Sequence, residues 1–143
     1  MSVEIIKNAG FCFGVRRATE LIEKEIASGS KTRIFTLGKL IHNDSYNQRL
    51  SEAGVTVIGC DDIEKIAVST ETMGEARVFV RAHGMTKDTE RLLRECEEKF
   101  SGFSFIDCTC PYVKKIHRIA ADNSNGSGKV DEEDGQERIF ILI

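Results

Sequence analysis

At 143 residues the chain suits one compact domain, or one domain and the start of another, and its 41% hydrophobic content excludes a disordered polypeptide. Its 20 basic and 23 acidic residues leave a net charge of −3, which gives no general attraction to nucleic acid or anionic membranes, so any anion site must be built locally. No segment has the length and apolarity of a transmembrane helix and the N-terminus lacks a signal-peptide pattern, so the chain reads as cytoplasmic. Five cysteines there argue for thiols, metal ligands or reactive groups over disulfides.

In chain order, Val3-Glu4-Ile5-Ile6 is a short strand candidate, and residues 14–28 follow with Val15, Ala18, Leu21, Ile22 and Ile26 at helical spacing, stopped by Gly29. Residues 33–37 read as a strand. The next helix is capped by Asn43 and ends at Gly54, and a strand at 55–58 follows. Between 59 and 76, Ile63, Ile66 and Ala67 suggest a short helix before a loop. Residues 77–80 form a strand, and a helix capped near Thr86 runs to about Lys99. A strand at 103–106 then leads to a helix whose first residue is Pro111. Strands alternating with helices in this way indicate an α/β fold, a parallel sheet with helices on both faces. The expected domain covers residues 1–121, with 1–13 as a leading strand that pairs elsewhere. Residues 122–137, rich in Asn, Gly, Ser and acids, read as a flexible loop, and the apolar run 138–143 reads as a truncated second α/β unit.

The strand-to-helix turns carry the chemistry. Gly10-Phe11-Cys12-Phe13-Gly14, Leu40-Ile41-His42-Asn43, Arg81-Ala82-His83-Gly84 and Asp107-Cys108-Thr109-Cys110-Pro111 each hold a cysteine or histidine. In a parallel sheet such turns emerge together at the carboxyl edge, where helix N-termini favour thiolates and phosphates. The set therefore suggests a metal or cluster site beside an anion pocket. Each residue also has a plainer reading. Cys60 and Cys96 read as buried apolar groups, Cys96 on a helical face with Leu92, Leu93 and Phe100. Cys108 and Cys110 face one side of an extended stretch and either share a metal or leave one as a bystander. His42 and His83 serve either a ligand or a helix cap, and His117 reads as structural or partly exposed beside Val113, Ile116 and Ala120. The glycine spacing matches neither dinucleotide-binding nor P-loop patterns.

At these four turns, together with Lys115-x-His117, the sequence closely resembles the 4-hydroxy-3-methylbut-2-enyl diphosphate reductase family of isoprenoid biosynthesis by the methylerythritol phosphate route. The resemblance implies several similar α/β units around a central [4Fe-4S] cluster held by three cysteines, two of them Cys12 and Cys110, with Cys108 a neighbour. It implies that His42 and His83 hold the substrate diphosphate. The implied reaction is reductive loss of the substrate hydroxyl to give isopentenyl and dimethylallyl diphosphates, with ferredoxin or flavodoxin as electron donor and neither nucleic acid nor membrane as partner. The third cysteine ligand, a further histidine and a proton-donating acid are then expected beyond Ile143, in which case this N-terminal portion alone is inactive and carries no catalytic residue. The competing readings are a non-enzymatic zinc module using Cys12, Cys108, Cys110 and a histidine, and a phosphate-binding α/β domain relying on helix N-termini.

Overall fold

A computed structural model describes residues 10–124, with side chains to residue 121. Helix α1 (Phe13–Ala27) leads into a four-stranded sheet of β1 (Arg33–Leu37), β2 (Thr56–Ile58), β3 (Ala76–Val80) and β4 (Phe103–Asp107). Helix α2 (Asp44–Glu52) joins β1 to β2, α3 (Ile63–Met73) joins β2 to β3, α4 (Lys87–Lys99) joins β3 to β4, and α5 (Pro111–Ser124) follows β4. All strand pairs are parallel and the order is β2-β1-β3-β4, so the α/β expectation holds. The strand candidate at Val3-Glu4-Ile5-Ile6 and the apolar run 138–143 lie outside the described residues.

Two cores follow from the two-residue period of β3. Phe79 faces α1 and α2 in a cluster with Ala18, Ile22, Leu40, Leu50 and Cys108, whereas Ala76, Val78 and Val80 face α3 and α4 with Ile63, Ala67, Leu93 and Cys96. A parallel sheet covered on both sides needs such near-continuous apolar strands. Arg77 is the exception on β3, and its guanidinium is taken up by Glu25 at 2.6 Å and Ser104 at 3.0 Å.

Local signals set most boundaries. Asn43 caps α2 by accepting from Tyr46 N at 2.9 Å, and Thr86 caps α4 by accepting from Thr89 N at 3.2 Å. The region after β2 is more helical than its composition suggests. A 3₁₀ turn at Cys60–Asp62 runs into α3, which continues to Met73; within it the Ser69 and Thr70 hydroxyls are satisfied by donating back to the Ile66 and Ala67 carbonyls at 2.7 and 2.6 Å. At the far end, α5 extends through Asp122, Asn123 and Ser124, the first residues of the expected loop. Cys60 corrects another expectation: it begins the 3₁₀ turn on the surface, 3.7 Å from Thr89 Oγ1, instead of packing in a core. Cys96 is buried as expected.

Phe79 is fully buried in the central strand, so Phe79→Ala should lower unfolding stability by about 3–5 kcal/mol. Urea denaturation should show the loss as an earlier midpoint with an unchanged slope.

Candidate functional site

The strand order reverses between β1 and β3: the chain steps outward from β1 to β2, then returns to the other side of β1. Ligands of open α/β sheets gather at the carboxyl edge of such a reversal. His42 lies in the turn leaving β1 and His83 in the turn leaving β3, so each flanks the reversal. Their rings meet, with centroids 4.5 Å apart at an interplanar angle of 47°. The helix caps are made by Asn43 and Thr86, so neither imidazole is spent on capping.

Backbone hydrogen bonds beyond the strand ends hold these turns in line. Ala82 N donates to Leu40 O at 3.1 Å, and Cys110 N donates to Ala82 O at 2.9 Å. The first bond ties the His42 turn to the His83 turn, and the second ties the His83 turn to Cys110. The His83 turn is itself closed by Gly84 N donating to Arg81 O at 3.0 Å and Arg81 Nε donating to Gly84 O at 3.3 Å.

Both candidate thiols stand at helix starts. Cys12 is the N-cap of α1: its carbonyl accepts from Arg16 N at 2.9 Å, while its exposed side chain makes no capping bond. Its loop is pinned to α2 by an edge-on contact between Phe11 and Tyr46, centroids 6.1 Å apart. Cys110 immediately precedes α5 and is half-buried, its carbonyl accepting from Lys114 N at 2.9 Å. Gly14 brings the two segments together, because a side chain there would collide with Cys110 Sγ and stand 2.8 Å from Cys110 Cβ. Among the described residues, no group of three or more His, Cys, Asp or Glu side chains gathers tightly enough to hold a metal ion.

Cys108 and Cys110 do face one side, toward α1, but at different depths. Cys108 is fully buried in the cluster with Ala18 and Ile22, and burial pushes its thiol up to about 12. The turn between them is organised by residues that sequence reasoning passed over. Asp107 accepts from Thr109 N at 2.8 Å and from the Thr109 hydroxyl, and pairs with Lys114 at 2.6 Å. Burial alone would raise the Asp107 carboxyl, but the bonds from Lys114 and Thr109 outweigh it and hold the group below its ordinary range. An Asp two residues before a Thr at a strand end is an Asx-turn signal that was there to be read.

Partial burial, then the neighbouring His42 and Arg81 charges, lowers the basicity of His83. Lys39 is taken up by Asp44 at 2.7 Å, and its hydrogen bond and charge lower that carboxyl. His117, expected to be structural or partly exposed, is exposed, and its ring lies against Gly84.

A family profile described as LytB protein matches residues 3–130. The chain is 38% identical over 122 residues to a 4-hydroxy-3-methylbut-2-enyl diphosphate reductase of Caldanaerobacter subterraneus, covering 85% of this chain and 38% of that protein. The same-named protein of Aquifex aeolicus is 35% identical over 117 residues, covering 82% and 35%. A solved structure of (E)-4-hydroxy-3-methyl-but-2-enyl diphosphate reductase, the terminal enzyme of the non-mevalonate pathway, superposes with a TM-score of 0.62 at 34% identity, covering 87% of this chain and 39% of its own. The corresponding Plasmodium falciparum reductase structure gives 0.65 at 25% identity, covering 83% and 33%. The chain thus spans less than half the length of each of these relatives.

Thiol labelling of the folded chain at pH 8 should modify Cys12, Cys60 and Cys110 first and leave Cys96 and Cys108 protected until denaturant is added. Peptide mass spectrometry reads the order, and early modification of Cys108 would contradict its burial.

Proposed function

The chain belongs to the LytB protein family, and from that premise we propose that it supplies part of the active site of a cytoplasmic reductase acting on 4-hydroxy-3-methylbut-2-enyl diphosphate. The observation that carries this reading is the meeting of His42 and His83 across the strand-order reversal, with Cys110 tied to the same row of turns. Among the described residues no helix is long and apolar enough to cross a membrane.

In this reading His42 and His83 hold the diphosphate. Each imidazole can donate an N–H, and the starts of α2 and α4 add amide donors and the positive ends of helix dipoles. The lowered basicity of His83 keeps it neutral at pH 7 until the anion arrives; the anion then favours its protonated form.

Cys12 and Cys110 are proposed as two thiolate ligands of an iron–sulfur cluster. In support, both stand at helix starts, which favour thiolates, and the missing side chain of Gly14 leaves the room that Cys110 occupies. The donor set suits soft metal ions but is incomplete among the described residues, so the reading requires a third thiolate from outside them. A bound cluster would supply single electrons taken from ferredoxin or flavodoxin and an open iron that polarises the substrate hydroxyl. The net change takes up two electrons and two protons, breaks the carbon–oxygen bond and releases water, leaving isopentenyl or dimethylallyl diphosphate.

The zinc reading needs Cys108 as a thiolate, and the burial that raises its thiol weighs against that. The phosphate-only reading leaves two exposed or half-buried thiols at adjoining helix starts without a role.

Two measurements test the proposal. Anaerobic reconstitution with iron and sulfide, dithiothreitol standing in for the third thiolate, should load the chain. Cys12→Ser and Cys110→Ser should lose the bound iron and Cys108→Ser should keep it; an unloaded wild-type chain, or full loading of Cys12→Ser, sinks the cluster assignment. In calorimetry, inorganic pyrophosphate should bind more weakly as pH rises from 6 to 8. The sign follows from His83, whose pKa is lowered in the free protein and raised by a bound anion, so binding takes up a proton between the two values. Titrations in buffers of different ionisation enthalpy should show that uptake, and its loss in His83→Gln.

A further inference from the structure

We propose that Tyr46 is a positioning residue for Cys12, holding the thiol-bearing loop to the turn that carries His42; the inference rests on the cluster reading above. The need for such a residue follows from how the other candidates are placed. His42, His83 and Cys110 lie in turns that leave the strands, and the backbone bonds at Ala82 and Cys110 join those turns to one another. Cys12 has no backbone bond to the sheet among the described residues. Its loop enters α1 through Gly10, at a φ of +137° with open space where a side chain would stand, and the Cys12 side chain makes no capping bond. On the far side, the start of α1 is fixed by the close fit of Gly14 against Cys110. The near side has to be held by side chains.

Phe11 supplies that hold. Its ring is 39% exposed, so no core encloses it, and among the described residues it meets one other ring, that of Tyr46, edge-on with centroids 6.1 Å apart at 87°. The longer bond from Arg16 Nη2 to Phe11 O at 3.4 Å stays within the same segment and cannot orient that segment against the domain.

Tyr46, by contrast, is fixed from several directions. It is buried, its hydroxyl donates to Glu23 Oε1 on α1 at 3.0 Å, and the Arg49 guanidinium stands 5.8 Å from its ring centre. Burial, then the bond to Glu23, raises the phenol above its ordinary range, so the hydroxyl stays a donor at neutral pH. The Tyr46 backbone N–H donates to Asn43 Oδ1 at 2.9 Å, and Asn43 adjoins His42. Asn47 braces the same turn by donating to the Ile41 and Asn43 carbonyls, each at 2.8 Å. One residue thus joins the His42 turn through its backbone, α1 through its hydroxyl and the Cys12 loop through its ring. The two halves of the proposed site, imidazole and thiolate, meet in that residue.

The test is amide nitrogen relaxation at Phe11 and Cys12, measured by NMR, together with iron release to a chelator after anaerobic reconstitution. The chains compared are wild type, Tyr46→Leu, Tyr46→Phe and Phe11→Leu. In wild type both amides should be as rigid as those of α1. Tyr46→Leu and Phe11→Leu should loosen both amides while α1 stays rigid, and should speed iron release about 2–12-fold, the range that one edge-on aromatic pair supports. The double variant should be no looser than either single one, because both changes remove the same contact. Tyr46→Phe keeps the ring and should stay near wild type. Rigid amides in Phe11→Leu, or loosened amides with unchanged iron release, overturn the inference. A wild-type chain that takes up no iron overturns the cluster reading, and rigid or loosened amides in the variants still decide whether Tyr46 holds the loop. If Tyr46→Leu unfolds, Phe11→Leu decides, because that side chain is exposed and lies outside both cores.

Discussion

The site depends on a pair of backbone hydrogen bonds that continue the sheet past its own strands. Ala82 N to Leu40 O and Cys110 N to Ala82 O extend the ladder two or three residues beyond Leu37, Val80 and Asp107. Loops usually leave a sheet edge independently; these leave in register, so a histidine on one turn and a cysteine on another hold positions set by the sheet. Side chains placed by such a ladder are oriented before any ligand arrives, which lowers the ordering cost of binding.

Depth sorts the thiols. Cys108 and Cys110 point toward α1, yet one is sealed among Ala18, Ile22 and Phe79 while the other reaches the edge of the sheet. Apolar surroundings disfavour the charged form of the first, while the second stands half-buried at the start of α5. Two residues of chain are enough to separate an inert packing group from a candidate ligand. The Asp107–Thr109 turn, braced by Lys114, fixes where that separation falls.

Much of the architecture was legible because it is written in local code. The apolar period of β3, the caps at Asn43 and Thr86, Pro111 at the start of α5 and the glycine stops at Gly29 and Gly54 are short-range signals, and the structure follows them closely. His42, His83 and Cys110 could be singled out because each lies where a strand gives way to a helix, and Cys12 because it immediately precedes one. What stayed hidden was non-local. The fit of Gly14 against Cys110 joins residues far apart in sequence, and the contact of His117 with Gly84 crosses from one helix to another turn. Nor does composition reveal how deep Cys60 sits, because depth is set by which side of a turn faces the next helix. The extension of α3 was missed for a different reason: Ser69, Thr70 and Thr72 are poor helix formers, so the local signal fades before the helix does.

The close fit of Gly14 against Cys110 also has a meaning in time. Cys12 precedes Cys110 by 98 residues, and the two segments touch only once β4 has docked beside β3. At a synthesis rate of about 5–20 residues per second, the first thiol leaves the ribosome roughly 5–20 seconds before the second. During that interval Cys12 stands without Cys110 beside it. The meeting of the two thiol-bearing segments is thus a late event, waiting on the last described strand to join the sheet.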